Sequence, residues 1–243
     1  MPAVQHTIAG TVLTMPVRIR KADVHTAMFS ADADAAQRLI DYSGLRVCRF
    51  RPGRAVVTLM LARYLEGDLG RYHEFGTCIM VNRPGSSAHG LRALGDAAAF
   101  IHHLPVDQTF TLEAGRTIWG FPKIMADFTV HDSSPFSFEV SENGSLIAGM
   151  EFSRAIPVPS LRAKTQILTT YSCADGVTRE IPWEMRNTGV RFRPGGATLR
   201  LGDHPYANEF AALGLPKRPM MSGSVGNVEM TFGDGHVLGD LPR

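Results

Sequence analysis

The chain has 243 residues, 44% of them hydrophobic and 20% charged, with a formal net charge of +2. This composition belongs to an ordinary folded globular chain, long enough for a substantial core. The near-neutral charge, scattered arginines and absence of any basic run give no case for a nucleic-acid partner.

The first residues, through Thr14, read as an extended lead-in. The N-terminus lacks a basic start followed by an apolar segment, and no stretch approaches membrane-span length, so no membrane partner is expected. Val17–Lys21 is short and basic. Arg18 and Arg20 lie two apart and would share one face of a strand, as solvated charge or as cations turned to a pocket. Ser30–Tyr42 reads as the first helix, capped by Ser30 or Asp32, with Ala36, Leu39 and Ile40 as its buried stripe and Gly44 ending it. Arg46–Phe50 and Ala55–Tyr64 follow as strands around Pro52-Gly53. The second is apolar on both faces, which predicts a central position. Tyr72–Asn82 is the next strand, with Glu74 near its start. Arg83–Gly95, rich in Pro, Gly and Ser, reads as loop. Ala97–Val106 returns to the core. His102-His103 is tempting as a metal pair, but neighbours in a strand point to opposite faces and no Asp/Glu/His cluster completes a site, so no metal is expected. Cys48, Cys78 and Cys173 are widely spaced and read as reduced core thiols of a cytoplasmic protein.

Asp107 to Asp127 is the most informative stretch. Asp107 can cap a short helix in which Phe110, Ala114 and Ile118 share a face. Gly120 and Pro122 stop it, and Gly115 weakens it. Lys123 follows at once, between Phe121 and Ile124-Met125 and close to Trp119. An ammonium is expensive to bury, so Lys123 either snorkels or serves as an amine. An amine catalyst must be present in its free form, which desolvation favours, and Trp119, Phe121 and Met125 are available to line such a site.

Beyond Lys123 the pattern is all-β. Asp127–His131, Pro135–Val140 and Ser145–Arg154 read as a meander, with Asn143-Gly144 as a hairpin turn rather than a glycosylation site. Ile156-Pro157-Val158-Pro159 is a rigid connector. Gln166–Cys173 and Arg179–Trp183 are strands around Asp175-Gly176. Thr188–Arg193 and Ala197–Gly202 form a further hairpin. Pro205–Leu213 is a helix capped by Asp203, and Pro219–His236 is mostly strand. Gly223-Ser224-Val225-Gly226 lacks the Lys and Ser/Thr of a phosphate loop. The counted strands and turns give a β-rich α+β fold, mostly antiparallel, with a few short helices and a large curled sheet. A single domain over residues 1–243 is expected, because the part beyond the connector shows no separate core.

Gly115-Arg116 followed by Gly120-Phe121-Pro122-Lys123 resembles the signature of the acetoacetate decarboxylase family, in which a Gly-Arg-Glu…Pro-Lys-Lys run holds a Schiff-base lysine. Tyr72-His73-Glu74-Phe75-Gly76 resembles the family's second marker, at a similar distance. The likeness extends weakly over nearly the whole chain, including His204-Pro205 and Leu213-Gly214-Leu215-Pro216. Three positions depart from the pattern. Ile124 replaces the second lysine, Thr117 replaces the Glu, and a further carboxylate position falls near Leu59.

The resemblance implies a cone-like β-barrel and a homo-oligomer. It implies a carbon–carbon lyase that decarboxylates a small β-keto acid through an imine at Lys123, or an aldolase or dehydratase using the same lysine chemistry. A non-catalytic ligand-binding barrel is the reading from another class. No cofactor is implied, since the protonated imine is itself the electron sink. Glu74 would transfer protons or position water. Arg18 or Arg20 would meet the substrate carboxylate, with Tyr72, Trp119 and Phe121 in the pocket wall.

Overall fold

The computed structural model describes residues 4–86, 90–158 and 165–239. A hairpin of β1 (Gln5–Ile8) and β2 (Thr11–Thr14) leads into β3 (Val17–Asp32), α1 (Ala33–Ile40), β4 (Arg49–Arg51), β5 (Arg54–Gly67) and β6 (Tyr72–Val81). Next come α2 (Leu91–Asp96), β7 (Ala98–His103), α3 (Thr109–Trp119), β8 (Asp127–His131), β9 (Phe136–Glu142) and β10 (Ser145–Phe152). The remainder is β11 (Ile156–Pro157), β12 (Gln166–Ala174), β13 (Val177–Pro194), β14 (Ala197–Leu201), α4 (Pro205–Ala212), β15 (Met221–Phe232) and β16 (His236–Val237). No helix among the described residues is long and apolar enough to cross a membrane.

The order β13-β12-β7-β6-β5-β3-β15, with β15 pairing back onto β13, closes a seven-stranded barrel. Only the β12–β7 pairing is parallel among its neighbours; the others are antiparallel. Closure removes the exposed strand edges that an open sheet of this size would present. A four-stranded sheet, β14-β10-β9-β8, packs outside the barrel.

The alternation of side chains along β5 and β6 explains why both strands are apolar on both faces. Leu59 and Leu61 on β5, with Phe75 and Ile79 on β6, point outward and meet Phe138, Val140 and Ile147 of the outer sheet. Tyr64, Tyr72 and Cys78 belong instead to the inner cluster, with Trp119 and Phe121. Period-two geometry therefore gives each strand two hydrophobic duties: an inter-sheet core on one side and the barrel interior on the other.

Several expectations change. The helix read at Ser30–Tyr42 is shorter, because Ser30–Asp32 continue β3 and pair with Arg54–Val56; Asp32 caps α1 through Ala35 N at 2.7 Å. The short basic Val17–Lys21 segment is the start of a 16-residue strand. The Arg83–Gly95 loop contains the start of α2. Arg179–Trp183 and Thr188–Arg193 are parts of one strand, β13, whose first part pairs with β12 and whose second part pairs with β15. Ala197–Gly202 is consequently not the partner of Thr188–Arg193; β14 pairs with β10 in the outer sheet. His204, not Asp203, caps α4 through Tyr206 N. In the connector, Ile156–Pro157 is a short strand on β13, while Pro159 lies outside the described residues.

His25 on β3 shows how closely the outer sheet is laid against the barrel. Its ring stacks on Phe136 at 3.7 Å and 6° and meets Phe152 edge-on, with Nδ1 buried and unpartnered. Burial first, and then the nearby Arg63 guanidinium, lower its pKa to about 4, although Asp23 and Asp132 oppose them. The unfolded chain therefore binds a proton on this group between about pH 6.5 and pH 4 that the fold excludes. The stabilisation is complete above the unfolded value and is lost as pH falls through the folded one. Urea melts at pH 7.5 and pH 5 should show His25→Phe losing about 2 kcal/mol less than the parent on acidification. Equal losses would place the acid sensitivity elsewhere.

Candidate active site

Lys123 is placed by the end of α3. Gln108 caps the helix, its side chain accepting from Thr111 N, and Asp107 is left to accept from His73 N and Nδ1 at 2.7 Å each. Asp107 is thus a tie to β6 and not the cap. At the other end Gly120 takes the left-handed conformation at φ 62°, and Phe121 N donates back to Gly115 O at 3.0 Å. Arg179 packs against Gly120 so closely that a Cβ there would lie 2.7 Å from Nη1. Lys123 N then donates to Phe121 O at 2.8 Å across Pro122, a three-residue turn. Arg116 Nε and Nη2 both donate to Lys123 O, at 2.9 and 2.5 Å. Immediately beyond, Val106 N donates to Ile124 O and Ala126 N to Val106 O, while Phe75 N donates to Pro105 O. Backbone bonds on Pro105 and Val106 thus join the lysine segment to the strand that carries Glu74, fixing their separation without help from side chains.

The Lys123 side chain is 3% exposed and Glu74 7%. Nζ lies 2.7 Å from Glu74 Oε2 and 2.9 Å from Thr111 Oγ1, and 5.3 Å from the Tyr72 ring centroid. Tyr64 OH donates to Glu74 Oε1 at 2.8 Å, and its ring stacks on Tyr72 at 4.2 Å. Tyr72 lies beside both Thr111 and Tyr64. Burial, and then the Glu74 charge, hold both phenols well above their ordinary values, so they serve as neutral hydrogen-bonding groups. The result is a polar ring of Lys123, Glu74, Tyr64, Tyr72 and Thr111, set in an apolar interior. Satisfying both oxygens of the carboxylate is what a buried ion pair requires.

The ring borders a cavity of about 290 Å³ inside the barrel. Tyr72, Glu74, Trp119, Phe121 and Lys123, all singled out in the sequence, line it. Arg18 and Arg20 do not. Both lie on the exposed face of β3, where Arg20 pairs with Glu66 at 3.0 Å and Asp68 at 2.7 Å. The alternation that buries Val17 and Ile19 turns the arginines outward. Met125 is 40% exposed and is not a wall residue either. The amine's surroundings therefore differ from an apolar shell: its nearest partner is a carboxylate. Thr111, Tyr64 and Arg116 complete the arrangement and were not selected from the sequence as site residues. Cys78 also lines the cavity, and burial, followed by the Glu74 charge, raises its thiol to about 12, so it is wall and not nucleophile.

The histidine pair departs from expectation. Thr77 pairs with His103 but Cys78 pairs with Ile101, a β-bulge that inserts His102 and turns consecutive side chains the same way. Both are buried, and both Nε2 atoms meet Glu209 Oε2, at 2.8 and 2.5 Å. Three potential ligand atoms therefore lie within 4.8 Å of one another, where the sequence suggested no completing acid. Burial would raise the Glu209 carboxyl, but the two imidazoles outweigh it and hold it at about 2. The carboxylate is satisfied by this hydrogen-bonded tie, which fastens α4 to β7.

Comparison with known proteins follows the same lines. A profile of the family described as Acetoacetate decarboxylase (ADC) matches residues 1–241. An acetoacetate decarboxylase from Legionella pneumophila subsp. pneumophila str. Philadelphia 1 superposes with a TM-score of 0.69 at 19% identity, covering 99% of this chain and 93% of its own. The enduracididine biosynthesis enzyme MppR, solved with pyruvate, gives 0.69 at 18% identity and 100% coverage of both chains. An acetoacetate decarboxylase-like enzyme from Sphingomonas wittichii RW1 gives 0.60 at 16%, over 98% of this chain and 100% of its own. Identities this low carry the fold alone. No curated protein matches.

Gly115 has a role that its effect on helix propensity obscures. A Cβ at that position would lie 2.5 Å from Lys123 Cε and 2.7 Å from Cδ, so the lysine stem occupies the space a side chain would take. Gly115→Ala should favour the helix by about 1 kcal/mol yet displace the amine from Glu74. The expected outcome is a melting temperature within a few degrees of the parent, with at least tenfold slower covalent labelling of Lys123 by a carbonyl compound plus borohydride. Unchanged labelling would show that the close packing does not position the amine.

Proposed function

The chain belongs to the acetoacetate decarboxylase family, and from that premise we propose that it is a lyase-type enzyme working through an imine at Lys123. The observation that carries the reading is the buried amine held 2.7 Å from a buried carboxylate at the wall of an internal cavity. Pure binding has no need of such a pair, whose desolvation costs several kcal/mol per ion before compensation.

The chemistry assigned to each group follows from its place. Glu74 takes the ammonium proton from Lys123, across a distance at which proton transfer needs no intervening water. The free amine attacks the substrate carbonyl carbon, and the carbinolamine loses water to give the iminium. In a β-keto acid, the electrons of the bond to the carboxyl carbon then flow into the iminium, releasing CO2 and leaving an enamine. Protonation at carbon and hydrolysis return the ketone and the lysine. Tyr64 holds the unused oxygen of Glu74, so the carboxyl group presents the other oxygen to the amine. Thr111 holds the nitrogen from a second side.

Decarboxylation of an acetoacetate-like β-keto acid is the leading reaction. Aldol-type or dehydratase chemistry through the same imine is the second reading. It is favoured by the match to MppR, which was also solved with the condensation product of pyruvate and imidazole 4-carboxaldehyde, over 100% of this chain. On either reading the partner is a small carbonyl compound, no organic cofactor is needed, and the working form is a homo-oligomer.

Incubation with a panel of keto acids plus borohydride, followed by peptide mass spectrometry, should place a reduced adduct on Lys123. Glu74→Gln should lower turnover by about two to four orders of magnitude while leaving an adduct detectable at long times. Labelling only at other lysines, with Lys123 untouched, would end the imine reading.

A further inference from the structure

The cavity is much larger, and much less polar, than a four-carbon keto acid requires. Resting on the imine reading above, we infer that the substrate is a β-keto acid whose side remote from the carboxyl carries an apolar body of about four to five carbon atoms beyond acetoacetate. The size follows from volume. A cavity of about 150 Å³ holds one benzene, so about 290 Å³ holds roughly twice that, or about eleven to twelve non-hydrogen atoms. Acetoacetate would leave much of it empty, and an empty apolar cavity is a cost that folded cores avoid.

Extent and lining agree with the volume. Glu74 and Met80 both border the cavity, six positions apart on β6, which at about 3.3 Å per residue spans about 20 Å of strand. Lys123 is 3% exposed, while Met80 and the facing Ala99 are only partly buried, so the amine lies at the inner end and the space runs outward from it. Along that space Met60, Met80, Met185 and Met230 line the wall, with Trp183 stacked on Phe232 at 5.3 Å. Thioethers and aromatic faces adapt to flexible or planar apolar groups, and the threonines of the wall, Thr26, Thr58 and Thr170, carry no charge.

Charge is consistent as well. Among the described wall residues Lys123 and Glu74 are the charged ones, and they neutralise each other. The hydroxide that leaves the carbinolamine takes the proton held by Glu74 and departs as water, so the iminium and the Glu74 carboxylate neutralise each other as the resting pair does. The single carboxylate of a β-keto acid leaves this wall as CO2, whereas a second one would remain there with no counter-ion. For 3-oxooctanoate the carbon–carbon bond to the carboxyl breaks, CO2 leaves, the enamine carbon takes a proton, and water releases 2-heptanone.

The test compares acetoacetate with 3-oxooctanoate on the unaltered 243-residue chain, following ketone and CO2 release. Each added buried methylene is worth about fourfold, so the longer acid should have a kcat/KM about two orders of magnitude higher. Ala99→Phe should move the preferred chain length downward. Equal values, or a preference for acetoacetate, with an adduct still trapped on Lys123 would overturn the substrate class and leave the imine chemistry standing. If neither acid is turned over, borohydride trapping with 2-heptanone and with acetone decides. Half-labelling of Lys123 at a far lower concentration of 2-heptanone supports the class, and equal concentrations overturn it. No adduct from any carbonyl compound would instead remove the imine reading on which the inference rests.

Discussion

A charged pair inside a hydrophobic barrel is the constraint on which the rest of this structure depends. Lys123 and Glu74 meet at 2.7 Å where almost no water reaches. Two ions in such a place are tolerated only when geometry is close and the remaining hydrogen-bonding capacity is filled. The fold meets both conditions with specific residues. Tyr64 fills the second carboxylate oxygen and Thr111 the amine. The backbone ties on Pro105 and Val106 set the distance between the two elements, and Arg116 clamps the lysine carbonyl. Gly115 vacates the space that the lysine stem crosses.

The barrel supplies what a flatter architecture could not. Closure through β13 and β15 surrounds the pair with strands on all sides, and the outer sheet covers the barrel wall that carries Leu59 and Phe75. The interior can therefore stay apolar and still hold one reactive polar ring at its inner end. An enclosed site of this kind strengthens each electrostatic contact, because little solvent competes with it. The same enclosure makes the shape and polarity of the remaining space a statement about what enters.

Much of this was legible in the sequence, for identifiable reasons. Lys123 stood out because an apolar run with a Gly and Pro stop is an unusual place for a cation. The central position of β5 followed from its two apolar faces. Glu74 could be given a role only through its family-like surroundings, since a strand-end carboxylate has no local mark of burial. Tyr64 and Thr111 were invisible because their roles arise from pairing and docking: Tyr64 faces Tyr72 across a register, and Thr111 reaches Lys123 through the path of α3. Arg18 and Arg20 were misleading, although the buried Val17 and Ile19 between and beside them already implied an outward face. The convergence of His102 and His103 depended on a bulge, which no alternation pattern announces. β13 was read as two strands, Arg179–Trp183 and Thr188–Arg193; the structure runs them together and takes up the irregularity as register shifts around Thr188.

The central claim is that Lys123 and Glu74 exist in the interior as a mutually dependent pair. A double-mutant cycle on folding stability tests it most directly, with Lys123→Met, Glu74→Gln and the two combined, each unfolded in urea at neutral pH. The account predicts that Lys123→Met, which leaves the Glu74 carboxylate without its counter-ion, lowers stability by about 3 kcal/mol or more, and that the combined variant recovers most of that loss, because a buried pair replaced whole is close to neutral. Losses that simply add across the two positions would contradict it, and would mean that the two groups do not depend on each other in the folded protein.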